Sequence, residues 1–171
     1  MPTLQIRPHV ERYRRDSYLN KTPSLNPDLP SIDCAVGCSQ WGMSPSVRRA
    51  HDSFDPNEVS AYSERYHRGV LVKAILDRFN ISELSENQVF LGHGSFNLAE
   101  RVIHKLVNPT LLLGVGPQFN EIPTEFVAAD GKYEPIPRSS NDGFEFPMAR
   151  VLDRIEKSLF SMVYIDNPNN P

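Results

Sequence analysis

Residues 110–130 read TLLLGVGPQFNEIPTEFVAAD. From Leu111 to Val115 no position carries a polar side chain, so both faces of the segment need cover. That is the pattern of a strand inside a parallel sheet, not of a half-solvated antiparallel one. Gly116 and Pro117 stop the run. The residues from Gln118 to Asp130 predict a helix, with Pro123 kinking or shortening it.

The same alternation continues on both sides. Upstream, NQVFLGHG (87–94) predicts a brief strand ending in glycines. SFNLAERVIHKLV (95–107) predicts a helix with Leu98, Val102, Ile103 and Leu106 on one face. Downstream, KYEPIP (132–137) is extended, and FPMARVLDRIEKSL (146–159) is a helix with Met148, Val151, Leu152 and Ile155 facing inward. FSMVYID (160–166) is a buried strand. Apolar strands alternating with amphipathic helices predict an α/β fold, a mostly parallel sheet with flanking helices.

The earlier part of the chain reads differently. Pro2, Pro8, Pro23, Pro27 and Pro30 mark the first thirty residues as an extended arm, because proline neither continues a helix nor donates to a ladder. SIDCAVG (31–37) is a short strand or buried loop. SPSVRRAHDSF (44–54) opens with a capping serine followed by Pro45, hence a short helix. SERYHRGVLVKAILDRFN (63–80) is a helix ended by Asn80, with Val70, Leu71, Ala74, Ile75 and Phe79 as its apolar face. The expected organisation is an arm at 1–30, a segment with helices at 31–80 and the α/β part at 81–171.

Composition narrows the function classes. Among 171 residues, 39% are hydrophobic and 23% charged, as in a globular protein. A net charge of −3 gives no reason to expect nucleic acid or an anionic membrane. Arg12, Arg14 and Arg15 are flanked by Glu11 and Asp16 and read as a solvated arm. No stretch approaches the roughly 20 apolar residues of a membrane helix, and MPTLQIRPHVERYRR lacks the apolar core of a secretion signal, so a cytoplasmic location is expected. Cys34 and Cys38 have the wrong spacing for a redox pair, and no further Cys–His group completes a zinc site.

In parallel sheets a ligand lies beyond the carboxyl ends of the strands, which singles out GHGSFN (92–97), GPQFNE (116–121) and DNPNNP (166–171). In the first, Gly92 and Gly94 permit close backbone approach to an anion, Ser95 offers a hydroxyl, and free N–H groups at a helix start favour phosphate. Two glycines at such a turn also have a purely steric explanation. A dinucleotide fingerprint fails because Asn97 stands where the third glycine belongs. In the second loop Phe119 is either a core plug or a ring that stacks on a planar ligand. The third is a rigid polar turn whose asparagines can bond their own backbone or a ligand oxygen.

These loops together resemble the fold type I, pyridoxal-phosphate-dependent aminotransferases of class I/II, closest to the histidinol-phosphate aminotransferase branch. NPNNP is similar to the start of the family's Asn-Pro-Asn-Asn-Pro-Thr-Gly turn. GHGSFNL is similar to its Gly-Asn-Gly-Ser-Asp-Glu-Leu phosphate loop, GPQFNE to its Pro-Thr-Tyr segment, and MSPSV to its Gly-Pro-Ser-Pro segment. Order and approximate separation agree from about Ile32 to Pro171.

The resemblance implies pyridoxal 5'-phosphate as cofactor, an amino acid and a 2-oxo acid as substrates, and a homodimer. It implies that Ser95 and the Phe96 backbone hold the cofactor phosphate with Asn97 nearby. Phe119 would lie on the pyridine ring and Asn170 would donate to the phenolic oxygen. Tyr62 would reach the phosphate of the neighbouring subunit. Phe96 and Asn97 replace the usual Asp-Glu, Phe119 replaces the commoner Tyr, and VGCSQWG differs from the family's Asn-Glu-Asn-Pro. These departures leave the substrate open.

The family's Schiff-base lysine, the aspartate on the pyridine nitrogen and the arginine for the substrate carboxylate all follow the Asn-Pro-Asn-Asn-Pro turn. None of Lys21, Lys73, Lys105, Lys132 and Lys157 matches the catalytic position. The expectation is therefore an N-terminal fragment of the large domain, inactive alone. A decarboxylase or cyclase of the same cofactor class, or a non-catalytic phosphate-ligand module, remains open.

Overall fold

The computed structural model describes residue 39 and residues 41–60 and 68–169. The expected arm, Cys34, Cys38, Tyr62 and Asn170 lie outside the described residues. The chain divides into two compact units, one containing residues 92–169 and the other the described residues up to Leu91.

In the unit before Gly92, helix α1 spans Pro45–Asp52. Ser44 caps it, its hydroxyl accepting the Val47 N–H at 3.4 Å, and Pro45 fills the first turn, where a missing N–H costs nothing. Helix α2 spans Arg68–Phe79 and ends at Asn80, whose φ of 51° is a conformation asparagine tolerates. The expected apolar face is corrected. Val72 is buried with Ile75 and Leu76 half-buried, whereas Val70, Leu71 and Phe79 are exposed. The run GVLVKAIL carries two overlapping stripes one residue apart, and periodicity alone does not choose between them. Val89–Leu91, expected as a strand, pairs with no strand among the described residues.

The unit from Gly92 onward is a three-stranded parallel sheet with helices on both faces. Helix α3 spans Gly94–Lys105, β1 Leu111–Gly116, α4 Glu121–Ala128, β2 Lys132–Pro137, α5 Met148–Lys157 and β3 Met162–Tyr164. The order is β2-β1-β3, with Leu112 opposite both Tyr133 and Met162. Side chains alternate across a strand, so consecutive residues of β1 serve different faces. Leu112 packs with Ile103 of α3 and with Ile122 and Phe126 of α4. Leu113 and Val115 pack on the other face with Ile136 and Val151 of α5. Each fully buried aliphatic or aromatic side chain contributes about 1.5–3 kcal/mol relative to exposure, so β1 is the strand on which both layers depend.

Pro123 does not kink α4. It occupies the third helical position, inside the first turn, and is buried. Pro135 and Pro137 lie on β2, which among the described residues is bonded on one side only, and an edge strand tolerates their missing donors. Two helix faces differ from expectation. In α3 and the two residues after it, Ile103 is buried and Phe96, Ala99 and Val107 pack inward, while Val102 and Leu106 are exposed. In α5 only Val151 of the expected four is buried; Met148, Leu152 and Ile155 are exposed. The half-buried Arg154 occupies that stripe instead, closing a two-pronged bond on Glu134 of β2 (2.6 and 2.8 Å). A long basic side chain covers sheet surface with its stem and keeps its head paired, which periodicity counts do not register.

Candidate functional site

The chain leaves β1 in one direction to form β2 and returns beyond β1 to form β3. β1 and β3 are therefore adjacent strands whose connections diverge, and a crevice opens at their carboxyl ends. A cleft of about 380 Å³ lies there. Ser95, Phe96 and Ala99 of α3 form one wall, Phe119 and Ile122 another, and Tyr164 at the end of β3 with Ile165, Asp166 and Asn167 after it the third. Its volume is within the usual range of small-molecule pockets.

The glycines of the first loop have separate causes. Gly94 opens α3 with φ +82°, a conformation that favours glycine. Gly92 has no such φ, but a Cβ there would come within 2.8 Å of the Leu98 side chain. Gly92 thus serves packing, the steric explanation left open above. The His93 side chain makes no capping bond at the start of α3; the Asn97 carboxamide instead accepts the His93 N–H at 3.3 Å. The first-turn N–H groups and the Ser95 hydroxyl form a donor set suited to an anion.

The second loop is fixed from inside. β3 pairs with β1 only as far as Gly114, and the N–H of the next residue, Val115, is taken by the Gln118 side-chain oxygen at 3.1 Å. The Gln118 amide then donates to the Tyr133 hydroxyl at 2.9 Å. Gly114 is required beneath this network, because a Cβ would stand 2.5 Å from the Gln118 nitrogen. With Gln118 turned inward, Phe119 reaches the cleft, and its N–H donates to Asp166 Oδ2 at 2.9 Å.

Charge in the cleft is confined to its third wall. Burial, then the Asp166 charge and then Tyr133, push the Tyr164 phenol up to about 12. Burial also raises Tyr133, against the opposing bond from Gln118. Both phenols stay protonated at neutral pH and act as hydrogen-bonding groups.

Of the residues singled out in the sequence, Ser95, Phe96 and Phe119 share this cleft. Asn97 shapes the turn beside it. Asn170 directly follows Asn169, the last described residue of the same loop, and Tyr62 lies in an undescribed stretch. Sequence reasoning did not single out Tyr164, Asp166 or Asn167. Their signal was position, at the end of a buried strand and in a loop already marked. The lysines at 73, 105, 132 and 157 are exposed and line no part of the cleft; Lys157 pairs with Asp153. No group of three or more histidine, cysteine, aspartate or glutamate residues suited to a metal occurs among the described residues. No helix there is long and apolar enough to cross a membrane.

No protein-family model matches the chain, and no curated protein matches it significantly. Solved structures do. Apo-BacF from Bacillus subtilis aligns over 98% of this chain and 43% of its own length, at 18% identity and a TM-score of 0.63. Aspartate aminotransferase from Thermotoga maritima aligns over 74% of this chain and 33% of its own, at 20% identity and a TM-score of 0.53. The chain therefore spans less than half the length of either. At such identities the likeness establishes the fold: an α/β arrangement with a small parallel sheet and flanking helices, shared with part of an aminotransferase.

The cofactor implied by the sequence resemblance can be tested against the cleft itself. A phosphate needs clustered donors, and the start of α3 with Ser95 supplies them. A planar ring needs flat apolar walls, and Phe119, Ala99 and Ile122 supply those. The residues present fit pyridoxal phosphate.

Proposed function

We propose that this chain forms part of the cofactor site of a pyridoxal-phosphate-dependent enzyme that moves an amino group between an amino acid and a 2-oxo acid. One observation carries the reading: the start of α3, the turn after β1 and the turn after β3 line a single cleft at the point where the strand order diverges. Bound there, pyridoxal phosphate would supply the electron sink that amino-group chemistry requires. The Ser95 hydroxyl and the N–H groups around Phe96 hold the phosphate, Asn97 keeps that turn in shape, and the Phe119 ring lies along the cofactor plane. Asn170 would donate to the phenolic oxygen. Tyr62 serves a neighbouring subunit in a homodimer.

None of the five lysines carries the covalent link in this reading, so the 171 residues alone bind the cofactor without a borohydride-reducible bond and do not transaminate. A decarboxylase or cyclase would use the same cleft, and product analysis with the complete active site separates them.

The test is calorimetric titration of the chain with pyridoxamine 5'-phosphate, whose amine cannot condense with lysine. Saturable binding that inorganic phosphate displaces, weakened by Ser95→Ala and by Phe119→Ala, is the expected result. Absence of binding, or binding indifferent to both substitutions, overturns the reading.

A further inference from the structure

A second cleft, of about 390 Å³, borders the same Ile165–Asn167 segment. Its other walls are Arg138, Phe146, Met148 and Asn169, on the side of the sheet where Phe146 packs against the Leu113–Val115 core. Arg138 directly follows β2, and its N–H donates to the Gly116 carbonyl at 2.7 Å, fixing the residue at the strand ends. Its guanidinium carbon lies 5.7 Å from the centre of the Phe146 ring.

The state of that guanidinium is the unusual feature. Arg138 Nε is buried and has no hydrogen-bond partner among the described residues. Among the described residues no carboxylate pairs with it. Arg154, on the same side of the sheet, shows the ordinary solution: both prongs of its fork close on Glu134. Buried polar groups are almost always bonded, and an exception calls for a cause. A guanidinium edge presents two parallel donors in the geometry of a carboxylate, which accepts both at once. Asp166, the acidic residue of the cleft wall, is engaged by the Phe119 N–H. The apolar side chains of Phe146, Met148 and Ile165 complete a pocket for an apolar body.

We infer that the Arg138 cleft is a binding site for the carboxylate of a small organic acid with an apolar body, the carboxylate taking the guanidinium edge and the body lying among Phe146, Met148 and Ile165. This site shares a wall with the first cleft but does not depend on what occupies it.

The test uses the whole chain, with no pyridoxal phosphate present, and 3-phenylpropionate as probe, followed by ligand-observed and protein-observed NMR. Saturable binding is expected, with the neutral 3-phenylpropionamide at least about tenfold weaker, as for loss of one charge-assisted bond. Arg138→Gln is expected to weaken the acid by a similar factor and leave the amide unchanged, while Arg138→Lys recovers part of the loss. Met148 is exposed, so Met148→Glu keeps the fold and sets a competing carboxylate at the rim; it too should weaken the acid about tenfold. Failure of the wild-type chain to bind the acid overturns the inference. So does equal affinity for acid and amide, or Met148→Glu binding the acid as well as wild type.

Discussion

The backbone N–H of Phe119 donates to Asp166 Oδ2 at 2.9 Å, although 47 positions separate the two residues. That bond ties the turn after β1 to the turn after β3, the two strands between which the chain diverges. It also holds an acidic side chain at the seam between two clefts.

Asp166→Ala leaves the Phe119 N–H without its acceptor, and a hydrogen bond to a charged group contributes about 1.5–3 kcal/mol. Urea denaturation is expected to show a loss of that order. Asp166→Asn retains an oxygen acceptor and should lose less than half as much. Equal losses in the two variants would contradict the acceptor role.

Gly114→Ala places a methyl group where the Gln118 nitrogen and the Tyr133 ring now lie, 2.5 and 2.8 Å from the new carbon. Gln118 must then release Val115 or Tyr133, and forcing extra volume into a packed site costs about 1–3 kcal/mol. The expected readout is a lower denaturation midpoint together with changed amide shifts at Val115 and Phe119.

Phe126 has no exposed surface and packs with Leu112, Ile122 and Ile103. Phe126→Ala should cost about 3–5 kcal/mol, against less than about 0.5 kcal/mol for Glu156→Gln on the exposed side of α5. Comparing the two midpoints checks that the α3–α4 face carries a packed core.

Tyr164 sets an alkaline limit. Its folded-state phenol titrates at about 12, above the ordinary 10.0, so the folded form holds a proton that the unfolded chain releases earlier. The associated stability is fully present below about pH 10 and is lost as pH rises toward 12. Spectrophotometric titration should show a tyrosine titrating near 12 that disappears in Tyr164→Phe. In Asp166→Asn it should move down, because the Asp166 charge is one cause of the shift.

Glu134 sets the corresponding acid behaviour. Its bond to Arg154 holds the carboxyl below the ordinary 4.5. The contribution of the pair is therefore present above that value and lost as pH falls through the depressed one. Glu134→Gln should flatten the acid side of the stability profile, read by urea midpoints across pH.

How much of this was legible before folding differs by element. The apolar run at Leu111–Val115 could be nothing but a strand covered on both sides, and the capping serine and proline at 44–45 fixed the start of a helix, because those signals are local. The three loops were found from the rule that ligands sit beyond strand ends, and Ser95, Phe96 and Phe119 came with them.

The sequence by itself determined the alternation of strands and helices, the parallel sheet and the loops that carry the site; each follows from burial period and backbone chemistry within a few residues. Tertiary structure alone decided which stripe of each helix turned inward. Leu152 and Ile155 yielded to Arg154 because Glu134, twenty positions away, offered the guanidinium a partner. It alone brought Asp166 to the Phe119 N–H, and it alone left Arg138 beside Phe146 with a buried donor unmet. Those outcomes depend on distances between residues far apart in the chain, and no periodicity encodes such a distance.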